Sequence, residues 1–159
     1  MRYYLKYNSP LGELYLIEEE NFLVEINFYN APKDTIEKET SFLIKCRNEL
    51  AEYFNKERKE FTIPIKLKGT DFQKKVWNSL LKIPFGETRS YKDIAIDIGN
   101  SKASRAVGMA NNRNPLPIIV PCHRVIGSNK KLVGYGGGLD KKIFLLELEK
   151  EGRGCCKFK

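Results

Sequence analysis

A chain of 159 residues, 42% hydrophobic and 30% charged with a formal net charge of +8, is long enough for one or two compact domains with a real core. Its mean hydropathy is −0.44, its longest apolar runs fall far short of the roughly 20 residues needed to span a bilayer, and Met1-Arg2-Tyr3-Tyr4-Leu5-Lys6 carries no apolar signal core. Cys46, Cys122, Cys155 and Cys156 have neither disulfide-framework nor zinc-knuckle spacing, so a secreted, stapled or membrane protein is excluded and a cytoplasmic protein with reduced thiols is expected.

The first elements alternate as strands. Tyr3, Leu5 and Tyr7 precede a turn at Ser9-Pro10-Leu11-Gly12. Leu14 to Ile17 follows, then an acidic tip at Glu18 to Asn21, then Phe22 to Tyr29. Aromatic and β-branched residues between turn signals predict a three-stranded antiparallel meander. From Thr35 to about Asn55 the period becomes helical: Phe42, Leu43, Cys46, Leu50, Tyr53 and Phe54 recur at spacings of three and four, which makes Cys46 a core residue. Phe61 to Leu67 reads as a short strand, and Lys68-Gly69-Thr70 as a linker.

Beyond the linker the chain predicts a string of short helices. Phe72, Val76, Leu80 and Ile83 stripe a helix that Pro84-Phe85-Gly86 stops. Ser90 with Asp93 has the form of a capping box and opens a helix through Ile98, ended by Gly99. Ser101 is the expected cap of the next helix, which carries Ala103, Ala106, Val107 and Ala110. Helix, glycine turn and small-residue helix fit a helix-turn-helix, and equally a plain helical hairpin. Asp140 is the expected cap of a last helix over Ile143 to Leu148, ending near Gly152, before a frayed tail in which Cys155 and Cys156 have no assigned role.

Charge divides at the same place. Residues 1–66 carry 10 Lys and Arg against 12 Asp and Glu, whereas residues 67–159 carry 18 against 8. The basic half fits a polyanionic partner or a solvated lysine-rich surface.

The chemistry concentrates between Asn114 and Val125. Pro115, Pro117 and Pro121 bracket Ile118-Ile119-Val120, which is expected to be extended, a rigid apolar strut delivering Cys122 to the interior. The only histidine, His123, follows it. An imidazole beside a thiol promotes the nucleophilic thiolate. Spacing alone leaves a packed Cys-His pair as the alternative.

Pro121-Cys122-His123-Arg124-Val125 resembles the active-site motif of the O6-alkylguanine-DNA alkyltransferases, the methylated-DNA–protein-cysteine methyltransferases. Phe72-Gln73-Lys74-Lys75-Val76-Trp77, Ile83 to Glu87, Ser90-Tyr91, Ser104 to Gly108, Asn114 to Pro117, Tyr135 to Leu139 and Glu149 resemble further family blocks in family order. The match is tight from Phe72 to Glu149 and extends to the first half in general layout.

The resemblance implies an α+β fold. A small antiparallel sheet with a helix, ribonuclease H-like, over residues 1–66 would precede a mostly helical domain with a helix-turn-helix over residues 67–159. It implies single-turnover transfer of an alkyl group from guanine O6 in double-stranded DNA to Cys122, with O4-alkylthymine a second candidate lesion. In that scheme Glu149 orients His123, His123 draws the thiol proton through a water, and Asn114 braces the turn. Tyr91 donates to the base and crowds the 3′ phosphate. The Gly136 amide faces O6, Tyr135 helps line the pocket, and the carbonyls of Cys122 and Val125 accept from the exocyclic amine. Gly136 departs from a frequent family serine, which removes any side-chain contribution there.

The lesion must leave the duplex to reach a buried thiol. Arg105 matches the residue that fills the gap, and Ala103 and Ser104 are small enough for close approach to the minor groove or for helix packing. Binding is expected to be largely sequence-independent, through phosphates, by a monomer with no membrane partner. No cofactor and no metal are expected, since one His and scattered Cys give no tetrahedral set. A DNA-binding relative without catalysis would replace the reactive cysteine, which is present here. A thiol hydrolase fits the order of the blocks poorly.

Overall fold

The computed structural model of the chain describes residues 1–127 and 138–157, which divide into two compact units, Met1–Lys68 and Gly69–Lys159. Among the described residues no helix is long and apolar enough to cross a membrane.

In the first unit β1 (Arg2–Ser9), β2 (Gly12–Glu19) and β3 (Phe22–Asn27) form the expected antiparallel meander. Glu20 and Asn21 both take positive φ in the tight second turn, the twist that two-residue hairpins favour. β3 ends at Asn27, whose Oδ1 accepts from the amides of Tyr29 and Asn30 and turns the chain away.

Two expectations change here. Ile36 and Glu37 are not helical: they form β4 (Ile36–Glu37), parallel to Tyr3 and Tyr4, and complete a sheet ordered β3-β2-β1-β4. The helix, α1 (Ser41–Phe54), therefore starts later, where Thr40 accepts from the Leu43 amide. The segment from Phe61 to Leu67 is not a ladder strand; its backbone bridges to β3 at Leu23, which donates to the Pro64 carbonyl and accepts from Lys66 N–H. Pro64 has no N–H with which to extend the pairing. Leu43, Cys46, Leu50, Tyr53 and Phe54 of α1 are buried, as are Leu5, Leu14, Leu16 and Ile26 of the sheet.

The second unit begins with α2 (Asp71–Leu80), capped by a reciprocal Thr70–Gln73 box. Its apolar face sinks Val76, Trp77 and Leu80, and the Trp77 indole donates to the Ala110 carbonyl at 2.9 Å. α2 stops before Pro84, because Ile83 N–H already turns back to Leu80.

The pair β5 (Arg89–Ser90) and β6 (Val125–Ile126) is parallel, and α3 (Tyr91–Asp97) opens on the Ser90–Asp93 capping box. Gly99, at φ +82°, turns the chain toward α4 (Ser104–Asn112), giving the helix-turn-helix. Ser101 is not the cap of α4. The chain makes one further turn, with Ala103 N–H donating to Asn100, and Ala103 occupies the cap position without a side-chain bond.

The last helix, α5 (Leu139–Lys157), is longer than its apolar stripe predicts. Asp140 lies in its first turn rather than before it. Gly152 does not end it: it is buried, and a Cβ there would stand 3.3 Å from the Phe85 ring, so the missing side chain serves packing.

Candidate active site

Pro121 cannot continue a helix from the preceding turn, and the chain after it tightens into a single 3₁₀ turn, Cys122–Arg124. Cys122 N–H donates to Val120 at 2.7 Å and Arg124 N–H to Pro121 at 3.0 Å. Cys122 is 4% exposed and His123 is fully buried.

The expected extended strut is instead a turn. Pro117 and Val120 bridge each other, Val120 N–H donates to Leu116 at 2.9 Å, and Ile118 takes φ +78°, a region a β-branched residue rarely enters. Prolines on both sides forbid a helix but do not select between strand and turn. Asn114 decides it: Nδ2 donates to the Val120 carbonyl at 2.8 Å, and Oδ1 accepts from Leu116 N–H at 2.9 Å. One amide thus clasps both ends of the turn that carries Cys122.

His123 Nε2 lies 2.6 Å from Oε2 of Glu149, which α5 supplies. A carboxylate at Nε2 keeps the proton there and makes Nδ1 the acceptor. Nδ1 is buried and has no hydrogen-bond partner among the described residues. Burial pulls His123 below the ordinary imidazole range against the opposing pull of Glu149, so the ring is neutral. Burial alone would raise the Glu149 carboxyl. The hydrogen bonds from His123 and Arg124 outweigh it and hold the group well below the usual carboxylate range.

Sequence reasoning gave Arg124 no role, although it stands inside the recognised motif. It is 6% exposed; Nε and Nη2 reach the two Glu149 oxygens at 2.8 and 2.9 Å, Nη1 reaches the Ile83 carbonyl at 2.7 Å, and the guanidinium lies over Phe85. The Gly86 amide adds a further donor to Glu149 at 3.2 Å.

Two more residues went unread. Lys142, one of several charged positions on α5, is fully buried, and its Nζ donates to the Val125 carbonyl at 2.6 Å. Burial lowers it to about 8, with the Cys122 charge acting the other way. Asn111 of α4 is 1% exposed and its Nδ2 donates to the Cys122 carbonyl at 3.3 Å. Neither has a sequence signal beyond its place on the inner face of a helix.

Tyr91, first residue of α3, is half-buried. Its hydroxyl is pushed up by burial and then by the Cys122 charge. The β5–β6 pairing sets Ser90, next to Tyr91, opposite Ile126. Arg105 is exposed in the first turn of α4, with Ala103 and Ser104 half-exposed at its start. Tyr135 and Gly136 lie outside the described residues. No group of three or more His, Cys, Asp or Glu side chains is arranged to hold a metal among the described residues.

The family descriptions "6-O-methylguanine DNA methyltransferase, DNA binding domain" and "6-O-methylguanine DNA methyltransferase, ribonuclease-like domain" match residues 71–151 and 2–67 respectively. The chain is 51% identical over 152 residues to a methylated-DNA–protein-cysteine methyltransferase of Methanosarcina acetivorans, covering 92% of this chain and 97% of that one. It is 49% identical over 159 residues to the constitutive methylated-DNA–protein-cysteine methyltransferase of Bacillus subtilis, covering 94% and 96%. Among solved structures it superposes on Mycobacterium tuberculosis OGT in complex with DNA with a TM-score of 0.90 at 45% identity, covering 94% of each chain.

Proposed function

The chain belongs to the methylated-DNA–protein-cysteine methyltransferase family, a family of methyltransferase enzymes, and on that premise we propose that it repairs DNA by taking the alkyl group of O6-alkylguanine onto Cys122. The observation that carries this reading is the buried His123–Glu149 pair adjoining Cys122, with His123 Nδ1 free to accept a proton. A neutral imidazole held in one tautomer by an ionised carboxylate is what a thiol needs to become a nucleophile.

In the proposed reaction Cys122 Sγ gives its proton to His123 Nδ1, through a bridging water. The thiolate then attacks the alkyl carbon in line with the C–O6 bond. A C–S bond forms as the C–O6 bond breaks, and guanine leaves with the electron pair and recovers one proton, equal to the one Cys122 released. The thioether has no chemistry by which to regenerate the thiol, so each molecule reacts once.

Tyr91 would donate to the departing base, with Tyr135 and the Gly136 amide completing the pocket and Val125 and Cys122 presenting carbonyls to the exocyclic amine. Stabilising charge where it develops is a large contributor to such steps. Arg105, exposed on the second helix of the helix-turn-helix, would occupy the gap left by the flipped nucleotide, while Ala103 and Ser104 allow close approach to the minor groove. The net +10 of residues 67–159 suits sequence-independent phosphate contact by a monomer, in the cytoplasm.

Incubation with a duplex bearing O6-methylguanine should add the mass of one methylene (a methyl replacing the thiol proton) to the peptide containing Cys122, in a one-to-one yield. An unmodified Cys122 beside a persistent lesion would sink the reading.

A further inference from the structure

Five arginines of this protein are met by a carboxylate: Arg2 by Asp34, Arg47 by Glu39, Arg58 by Glu52, Arg89 by Glu87 and Arg124 by Glu149. Arg105 and Arg113 are met by none among the described residues. Both are exposed, Arg105 in the first turn of α4 and Arg113 at its C-cap, and neither helix nor cap contains an acidic residue. An exposed ion pair adds little to stability, so what distinguishes these two is a guanidinium left available to an outside anion.

Positions four apart on a helix share a face, drifting by about 40° and rising by about 6 Å. Arg105, Met109 and Arg113 therefore form one stripe, about 12 Å from end to end. Beside it, α4 and the start of α2 enclose an open groove of about 240 Å³, lined by Phe72 and Gln73 of α2 and by Ala106, Met109, Ala110 and Arg113. Ala110 is buried there, whereas Met109 is 62% exposed, a large apolar side chain in water. Asp71, the residue before Phe72, does not line the groove.

An apolar wall ending in an unpaired cation matches a chain in which apolar deoxyribose alternates with phosphate. The minor groove of B-DNA is about 6 Å wide, and a helix with its side chains is about 10–12 Å across, so α4 cannot lie along the groove floor. One side chain can reach in, and the rest of the stripe then rests on a bordering strand.

We propose that the groove between α2 and α4 seats a sugar–phosphate strand bordering the minor groove, with Arg113 on a phosphate and Met109 and Ala106 against a deoxyribose. The inference rests on the DNA-binding part of the reading above and adds a backbone-gripping site to it. The groove is continuous with Arg105 through Ala106 and Met109, and the six lining residues named fall within the 71–151 match to a DNA binding domain.

The test measures binding of the full chain to an undamaged duplex between 50 and 200 mM salt. Arg113→Ala should weaken binding by about five- to tenfold at 0.1 M salt and reduce the slope of log K against log salt by about 0.9, the contribution of one phosphate contact. Arg113→Lys should keep the slope. Met109→Glu, which sets a carboxylate against the strand, should weaken binding by about tenfold, whereas Met109→Leu should keep it. Lys33→Ala removes one positive charge from the first unit and should leave the slope as it was; an equal fall there would assign the effect to net charge and overturn the site. These positions are exposed, so the variants should melt with the wild type. Should Arg113→Ala fold poorly, the Met109 pair decides. Wild-type affinity and slope in Arg113→Ala and Met109→Glu overturn the proposal and leave the groove to a protein partner. A wild type that binds no duplex overturns the DNA reading as well, while duplex binding through this groove without methyl addition to Cys122 would overturn the alkyl-transfer reading alone.

Discussion

Arg124 grips both oxygens of Glu149 with two parallel bonds of 2.8 and 2.9 Å, and it does so inside the core. Glu149 is thereby kept ionised and in a fixed plane while it holds His123. Through that carboxylate the arginine fixes the tautomer of His123.

Arg124→Leu should therefore lower both stability and the rate of alkyl transfer. Removing one partner of a buried ion pair is destabilising by about 3–5 kcal/mol, measurable as a shift of the urea midpoint. The rate on O6-methylguanine should fall by about tenfold or more as His123 loses its fixed carboxylate. Arg124→Lys, with one point charge for a two-pronged fork, should fall between. Wild-type rates in the leucine variant would refute the positioning role.

Lys142 gives the fold an alkaline signature. Its ammonium is lowered to about 8 by burial, from an ordinary value of 10.5. Between those two pH values the unfolded chain binds a proton that the folded chain has released, so stability due to this group rises with pH across that window and is lost again as pH falls through about 8. The wild type should accordingly gain on a Lys142→Met variant by on the order of 2–3 kcal/mol between pH 8 and 10.5, read by urea titration at a series of pH values. A constant difference across that range would contradict it.

Arg105→Ala separates flipping from chemistry. If Arg105 fills the base stack as proposed, its loss should slow repair of a duplex lesion by about tenfold or more, because unstacking is worth a few kcal/mol. Transfer from free O6-benzylguanine, which needs no flipping, should change by less than about twofold, a difference within the range of surface substitutions. Equal losses on both would remove Arg105 from that role.

Gly69 has no room for a side chain. A Cβ there would stand 2.6 Å from the Trp77 ring and 2.7 Å from Gln73 Oε1. Gly69→Ala should destabilise the second unit by about 1–3 kcal/mol through overpacking. Trp77 is the only tryptophan, so the emission spectrum reports the displaced ring directly. An unshifted spectrum with unchanged stability would show that the ring has space to retreat.

Much of this was legible before any coordinates. Cys46 in the core, the meander, the Ser90–Asp93 box and the Gly99 turn all follow from local rules, in which a few adjacent residues settle their own geometry. What escaped depends on partners distant in the chain. Ile118 is forced to positive φ by an amide four residues upstream clasping Val120 and Leu116, a relation no periodicity encodes. Arg124 and Lys142 look like surface cations until Glu149 and the Val125 carbonyl are seen to receive them. Asn111, next to the exposed Asn112, has nothing to mark it as the inward member of the pair. Where charged and polar residues go inside, the sequence carries the donor and the acceptor but not their meeting.

His123 is sealed from solvent, and its accepting nitrogen is sealed with it. A base used round after round must be reset each time, and burial narrows its exchange with bulk water. Under the proposed single-turnover reaction there would be no second round to prepare for. In that reaction the proton displaced from Cys122 would travel only as far as the departing guanine, and the same enclosure would hold that short path apart from bulk solvent.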